Sequence, residues 1–320
     1  MDSPYLSVIV PGLNVAATLE ACLASVSAAL PPGETAEVLF ADGGSQDDSP
    51  AIAARAGSRL VSVSFPRGFR ISRLRNQGAA QAHGELLCFL DADMTLPPEA
   101  LSLACGRFRQ GFDGLLAFQD QAPPHTSWVG RVWGARDLLP QGEVVSARQL
   151  PGRNLFIRRV RFQQLGGFSE ELPTGEDKAF SVAARQAGLP VLRSAETTLI
   201  HHGAEGSLGE FLGKEYWRQS HALGQLATLG LSPRTLRQPL FALWHLLLPP
   251  ATVLLLPFSP TAALLLLLLW PLPALLSTAV FFRRARVAFW PLAALNFLRW
   301  SVAGVALAGE VRHRFRGSGP

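Results

Sequence analysis

The sequence predicts an α/β domain, a largely parallel sheet covered by helices on both faces, followed by an apolar helical hairpin. Three observations predict it. Short β-branched runs alternate with runs of helical period through the N-terminal part of the chain. Polar clusters directly follow those runs, and open α/β sheets bind ligands beyond the carboxyl ends of their strands. Residues 239–282 contain no Asp, Glu, Lys or Arg, in a chain that is 48% hydrophobic and only 17% charged.

The elements can be taken in order. Residues 6–10 form a short β-branched run stopped by Pro11 and Gly12, which reads as a buried strand. Leu19, Cys22, Leu23, Val26 and Leu30 recur at helical spacing, with Asn14 as the expected N-cap. Residues 38–41 are a second strand, ended by Asp42-Gly43-Gly44-Ser45, and residues 50–56 start a helix. Residues 60–63 read as a third strand and 76–83 as an alanine-rich helix. The wholly apolar run 86–90 reads as a central strand, and Pro97-Pro98 opens the next helix. Strands are expected near 115–118, 155–157 and 199–200, and a helix over 178–186 stopped by Gly188 and Pro190. Residues 121–150, with Trp128 and Trp133, read as a loop-rich region near an acceptor.

Composition narrows the function classes. The formal net charge is +5, which suits nucleic acid, a membrane surface or phosphorylated ligands. The basic residues crowd beside apolar segments (Arg283, Arg284, Arg286, Arg299, Arg312, Arg314, Arg316). That favours lipid headgroups, and nothing reads as a nucleic-acid-binding motif. Cys22, Cys88 and Cys105 each sit in an apolar run without a CxxC pair, as buried hydrophobes do in a reducing compartment. No signal peptide is visible at the N-terminus, so the α/β domain is expected in the cytosol.

Four clusters carry candidate chemistry, and each has a plain reading beside the chemical one. Asp91 and Asp93 follow the central strand at i, i+2 spacing, which aims two carboxylates at one spot if the segment is extended. Hard oxygen ligands with open positions suit Mg²⁺ or Mn²⁺ shared with phosphates, whereas the plain reading is a turn or cap before Pro97. Asp42 follows the second strand beside two glycines, either to accept hydrogen bonds from a base or ribose or simply as an Asp-Gly turn. Asp177, after Glu176, is either a helix N-cap or a general base for an acceptor hydroxyl. His201 and His202 end a strand, where one imidazole can reach a metal.

In order, these pieces run Ser-Val-Ile-Val-Pro-Gly-Leu-Asn at 7–14 and Asp42-Gly43-Gly44-Ser45, then Arg75-Asn76-Gln77-Gly78-Ala79-Ala80 with Gly84. Phe89-Leu90-Asp91-Ala92-Asp93, Gly166-Gly167-Phe168 and Glu176-Asp177 complete the series. The series resembles a family 2 glycosyltransferase along residues 5–205. That resemblance implies a Rossmann-like GT-A domain that inverts the anomeric centre of a sugar carried on a nucleoside diphosphate, UDP being favoured. It implies that Pro11 and Asn14 line the nucleotide pocket, that Asp42 contacts base or ribose, and that Arg75 and Asn76 lie near the nucleotide. Asp91 and Asp93 would hold the ribose and a Mg²⁺ or Mn²⁺ ion, with His202 or His201 as a further ligand. Asp177, beside Glu176, would be the base. Two departures stand out: the loop is Asp-Gly-Gly-Ser where relatives commonly carry Asp-Asp-Gly-Ser, and Ala183 stands where many carry Arg. The Gln-x-x-Arg-Trp signature of processive synthases is absent, which favours transfer of a single sugar.

The tail completes the reading. Residues 240–258 and 261–282 are each long enough to cross a bilayer. Arg234 and Arg237 before them and Arg283, Arg284 and Arg286 after them put both ends in the cytosol. Residues 287–308 carry Asn296 and Arg299 near their middle, and a central Arg costs about 2.5–3.5 kcal/mol on insertion scales. An in-plane or re-entrant helix is therefore expected there. The resulting organisation is a catalytic domain over 1–230 and a membrane anchor over 231–320. It places the protein at the cytoplasmic membrane, with its catalytic domain on the cytosolic face and a lipid-linked acceptor, in cell-envelope or exopolysaccharide synthesis. Two rivals are a transferase acting on a polyprenyl phosphate and a membrane-bound sugar-nucleotide binder without turnover.

Overall fold

A computed structural model describes residues 4–65, 68–229, 231–282 and 288–317. Arg283, Arg284 and Arg286, used above for membrane orientation, lie outside the described residues. The chain divides into two compact units. An α/β unit comprises Met1–Pro123 and Leu139–Gly203, and a helical unit comprises Pro124–Leu138 and Ala204–Pro320.

The α/β unit opens with β1 (Leu6–Gly12), α1 (Ala16–Ala29), β2 (Ala36–Asp42), α2 (Ser49–Arg55), β3 (Arg59–Ser62), α3 (Ile71–Ala80) and β4 (Leu86–Leu90). β5 (Met94–Thr95), α4 (Ala100–Arg109) and β6 (Leu115–Gln121) follow, and the chain then contributes α5 (Trp128–Gly134) to the helical unit. It returns with β7 (Val144–Ser146), β8 (Asn154–Arg158), α6 (Arg159–Gln164), α7 (Glu176–Gln186) and β9 (Val191–His201). The strands form one sheet in the order β3-β2-β1-β4-β8-β6-β9-β5, with β7 paired to β9. The first four neighbours are parallel, as the alternating pattern predicts. The second half is mixed, because β8 enters antiparallel to both β4 and β6, and β5 and β7 run antiparallel to β9.

Alternation along the central strands supplies a core on each face. Val8, Val10 and Cys88 pack with α1 and α4 residues on one side. Ile9, Leu39 and Phe89 pack with α3, α6 and α7 residues on the other. Phe89 meets Phe162 and Phe168 with ring centroids 5.1 Å apart in each pair, which fixes the loop carrying Gly166 and Gly167 against the sheet. All three cysteines are buried and free.

The helical unit contains α5, a short 3-10 turn at Ala135–Asp137, α8 (Leu208–Gln219), α9 (Ala222–Leu229), α10 (Pro233–Leu255), α11 (Pro260–Leu269), α12 (Leu272–Phe282) and α13 (Phe289–Gly317). Its second segment begins at Ala204, ahead of the compositional boundary near 230, because α8 is tied to the apolar helices: Glu215 forms an ion pair with Arg299 at 3.3 Å. Ser232 caps α10 by accepting from the Thr235 amide, and Thr235 returns the bond to the Ser232 amide. Pro260 sits in the first turn of α11, where its missing N–H costs nothing. Among the described residues, Thr235–Leu255, Pro260–Phe282 and Phe289–His313 are long and apolar enough to cross a membrane. The polar groups of α13 that weigh against insertion each find a partner inside the unit, although, among the described residues, Asn296 Oδ1 accepts no hydrogen bond and Arg299 Nε donates none. Asn296 donates to Thr278 at 3.0 Å, Trp300 donates to Ser277 at 3.0 Å, and Arg299 pairs with Glu215.

Candidate active site

The site grows from loops at the carboxyl ends of β1, β2 and β4. Gly12 and Asp42 are register partners at the tips of their strands, and the Gly43 amide donates to the Gly12 carbonyl. Asn14 does not cap α1. It adopts a left-handed φ of 54°, which Asn tolerates better than most residues. Its side-chain oxygen accepts from the Gln46 amide at 2.8 Å while its own amide donates to Ser45 Oγ at 2.9 Å. The N-terminus of α1 is capped instead from the neighbouring loop: Val15 donates to Ser49 Oγ and Ala16 to Asp47. Asp42 is buried, and its carboxylate accepts from the amides of Gly44 and Ser45 and from Ser45 Oγ at 2.5 Å. Pro11 is buried at the end of β1, beside this loop pair.

Asp91 and Asp93 lie in a turn rather than an extended segment, since the Met94 amide donates to the Asp91 carbonyl at 3.0 Å. Their carboxylates accordingly take different partners. Asp91 accepts from Arg75 at 2.8 Å, and the other arm of the same guanidinium donates to Glu176 at 2.8 Å. Arg75 is 3% exposed and lies over the Phe168 ring. Gly152 makes room for it, because a Cβ there would stand 2.6 Å from the guanidinium. Asn76 is likewise spent on structure: it donates to the Phe168 carbonyl and to Glu170 and accepts from the Phe168 amide. Arg75 and Asn76, expected near a nucleotide, both hold protein partners in this structure.

Asp93 faces His201, with Nε2 3.3 Å from its carboxylate, whereas His202 turns to Thr95 at 3.1 Å. His201 is the last residue of β9 and His202 lies in the turn that follows, and His201 rather than His202 reaches the acid. The far nitrogen of His201 lies 4.0 Å from Asp120, and Asp120 is clasped by both arms of Arg153. Burial works to raise the Asp93 pKa. The hydrogen bond and charge of His201, with Arg153, outweigh it and hold the carboxyl below its ordinary value. Asp93 Oδ1 is buried with no hydrogen-bond partner. The carboxylate packs directly against Gly203, where a Cβ would fall 1.9 Å from Oδ2. Among the described residues, no three His, Cys, Asp or Glu gather as a metal cluster.

Glu176 and Asp177 head α7 after Gly175, whose φ of 82° makes the turn. Gly175 is the N-cap residue, so Asp177 is not, and it sits half-buried in the first turn. Burial and then the Asp177 charge raise the Glu176 pKa, against the pull of Arg75. The fold thus joins Asp91, Arg75 and Glu176, with Asp177 adjoining, and separately joins Asp93, His201, Asp120 and Arg153. Asp120 and Arg153 were not singled out from sequence. Their only local signal is an Arg-Asn pair at the start of β8 and an Asp near the end of β6.

Comparison with known proteins places this geometry among relatives. The model of glycosyl transferase family 2 matches residues 7–171. Glycosyltransferase AglE of Haloferax volcanii is 27% identical over 220 residues, 67% of this chain and 71% of that protein. An undecaprenyl-phosphate 4-deoxy-4-formamido-L-arabinose transferase of Pseudomonas aeruginosa is 33% identical over 134 residues, 40% of each protein. A mannosyltransferase from Pyrobaculum calidifontis, solved with GDP-Man and Mn²⁺, superposes with a TM-score of 0.63 at 19% identity, covering 97% of this chain and 88% of that one. S. aureus TarS with UDP-GlcNAc gives 0.51 at 18% identity, covering 95% and 91%. The structural matches establish the GT-A fold.

Proposed function

The chain belongs to glycosyl transferase family 2 and is a nucleotide-sugar-dependent glycosyltransferase, and on that premise we propose the parts its residues play. One observation carries the reading. Arg75 ties Asp91, at the end of the central strand, to Glu176 at the head of α7, so motifs 85 residues apart meet through one guanidinium. Pro11, Asn14 and the Asp42 loop form the nucleotide side. Asp177 is the base on the acceptor side, half-buried and unencumbered by an arginine hydrogen bond of the kind that holds Glu176.

The reaction is a single inverting displacement. The acceptor oxygen attacks the anomeric carbon, the bond from that carbon to the diphosphate breaks, and the acceptor proton passes to the Asp177 carboxylate. Asp93 and His201 would hold a Mn²⁺ or Mg²⁺ ion. The unpartnered Asp93 oxygen fits a site that shares its remaining positions with phosphate and water. Bound there, the ion would offset charge on the departing diphosphate. Arg75 and Asn76 keep the acidic groups and the Phe168 loop in register. A UDP-sugar is the first donor to test. A GDP-sugar is the second, since the mannosyltransferase neighbour was solved with GDP-Man.

The helical unit anchors the enzyme to the cytoplasmic membrane, with α10 and the α11–α12 pair as the crossing hairpin. We place α13 in the interface, because Arg299 pairs with α8, which carries a solvent-facing Glu210–Lys214 pair at 2.6 Å and exposed Tyr216 and Trp217. A helix bound to such a partner cannot cross without drawing those charges into hydrocarbon. The acceptor is a lipid in that membrane, and the product belongs to envelope glycan synthesis. A second reading, with a polyprenyl phosphate as acceptor, draws support from the name of the Pseudomonas relative.

The test is nucleotide release by membranes containing the protein, with Mg²⁺ or Mn²⁺, a panel of nucleotide sugars and a lipid extract. The reading expects one donor to be consumed only with metal, and Asp93→Ala to abolish it. Loss of turnover in Asp177→Asn indicates a hydroxyl acceptor, and survival indicates a phosphate, which needs no strong base. Binding of nucleotide without turnover of any donor would sink the transferase mechanism drawn here.

A further inference from the structure

Arg153 has no part in the chemistry drawn above, yet it stands among the acids of the site. Its backbone adjoins the first of them: the Asp91 amide donates to the Arg153 carbonyl at 2.9 Å, one step beyond the Leu90–Asn154 register pair of β4 and β8. Its guanidinium is gripped by Asp120, which accepts from Nε at 3.0 Å and from Nη2 at 2.9 Å. The buried Asn154 donates to the same carboxylate at 3.3 Å. Burial opposes the Arg153 charge, and Asp120, Asp91 and Asp177 together outweigh it, so the guanidinium stays firmly charged.

This grip leaves one arm over. Nε and Nη2 are turned to Asp120, whereas Nη1 donates to none of the described residues and is not enclosed. The Arg153 side chain is 35% exposed, against 10% for Asp120. One edge of the fork is therefore fixed and the remaining arm is reachable from solvent. A fork held in this way loses little freedom when it meets a ligand. Arg75 cannot serve in the same manner, because it spends both arms on Asp91 and Glu176 and its side chain is 4% exposed. The surroundings define what the free arm suits. Asp91, Asp93, Glu176 and Asp177 repel an entering anion. A neutral sugar hydroxyl needs no cation here, since carboxylates already accept from it. The group that does need one is the phosphate whose bond to the sugar breaks, because its charge grows during the reaction.

We propose that Arg153 is a catalytic residue whose free Nη1 donates to the sugar-bearing phosphate of the donor, with Asp120 holding the guanidinium in place. The inference deepens the nucleotide-sugar reading and rests on it. As the bond from the anomeric carbon to oxygen breaks, the electron pair stays on the phosphate oxygen, and Arg153 meets that charge without giving up a proton.

Full-length protein in detergent is titrated with UDP and UMP, and with GDP and GMP, first in EDTA and then with Mn²⁺. Wild type is expected to prefer the diphosphate of one base already in EDTA. Arg153→Gln lowers affinity for that diphosphate about tenfold and leaves its monophosphate unchanged, as the loss of one charge-assisted hydrogen bond requires. The deficit appears in EDTA as well as with Mn²⁺, which separates it from any effect on a metal at Asp93. Turnover falls by about tenfold or more, since the lost bond strengthens in the transition state. Arg153→Gln strands Asp120, so the double variant Arg153→Gln with Asp120→Asn, which removes both charges, is measured beside it and is expected to show the same loss.

The proposal is overturned if the variants keep the wild-type ratio of diphosphate to monophosphate affinity, or if both nucleotides weaken equally. Loss of affinity for the nucleotide sugar alone, with the free diphosphate unaffected, would assign Arg153 to the sugar and overturn it too. Should wild type bind no nucleotide at all, the nucleotide-pocket reading falls and Arg153 with it, whereas nucleotide bound at an unchanged ratio sinks only the role of Arg153.

Discussion

Replacing Arg75 with methionine tests its role as a strut directly. In the wild type the guanidinium is 4% exposed as a side chain and neutralises Asp91 at 30% and Glu176 at 10% exposure. Methionine fills much of the volume but leaves two carboxylates facing each other across a buried space. Removing one partner of a buried pair costs about 3–5 kcal/mol, because the remaining charge is stranded. For a domain of this size that corresponds to a fall of about 10 °C in Tm. The loss also depends on pH. The folded pKa of Glu176 already lies above its ordinary 4.5, from burial and then Asp177, and Arg75 limits that rise. A carboxyl raised in the folded state is protonated in both states below 4.5 and costs no stability there. It destabilises the fold as pH climbs through its folded value. Deleting Arg75 pushes that value higher, so the deficit of Arg75→Met relative to wild type should be larger at pH 8 than at pH 5. Thermal unfolding of the full chain in detergent at the two pH values measures both effects. A Tm within about 3 °C of wild type at pH 8, or a deficit that grows on acidification, would refute the strut.

His201→Ala should reduce metal-dependent turnover by about tenfold or more, in line with the loss of a ligand or its hydrogen-bonded support, whereas His202→Ala should stay within about twofold. Equal effects on a metal titration would overturn the assignment of His201 to the Asp93 side. Gly203→Ala puts a methyl group against the Asp93 carboxylate. It should raise the metal concentration needed for half-maximal activity while leaving nucleotide affinity in the absence of metal unchanged. Asp120→Asn weakens the clasp of Arg153 and the support of His201, and it should lower kcat about tenfold with little change in donor KM. A change confined to donor KM would assign Asp120 to binding instead.

How much of this was legible in the sequence varies by element. The parallel half of the sheet could be read because each strand there is a short apolar run and each helix an apolar stripe, both local patterns. The uncharged residues 239–282 likewise declared membrane helices by composition alone. The order of motifs identified the family, and with it the acidic residues around which a site had to form. Sequence spacing failed where the partner lay far along the chain. The antiparallel entry of β8 between β4 and β6 is a choice among sheet neighbours that no local period encodes. Spacing aimed Asp91 and Asp93 at one point, but a turn separates them, and Arg75 and His201 take one each. Which imidazole of the pair meets Asp93 depended on where β9 ends, since His201 closes the strand opposite Met94 and His202 falls in the turn beyond it. Asn296 and Arg299 look costly in an apolar stretch, yet Thr278 and Glu215 from other helices pair with them. Residue types and their order determined the fold class, the chemistry and the membrane association, because those follow from local hydrophobic period and from composition. Tertiary structure alone decided which acid, base and cation meet, because a charge is set by its nearest neighbours in space, and here those neighbours come from 16 to 108 positions away.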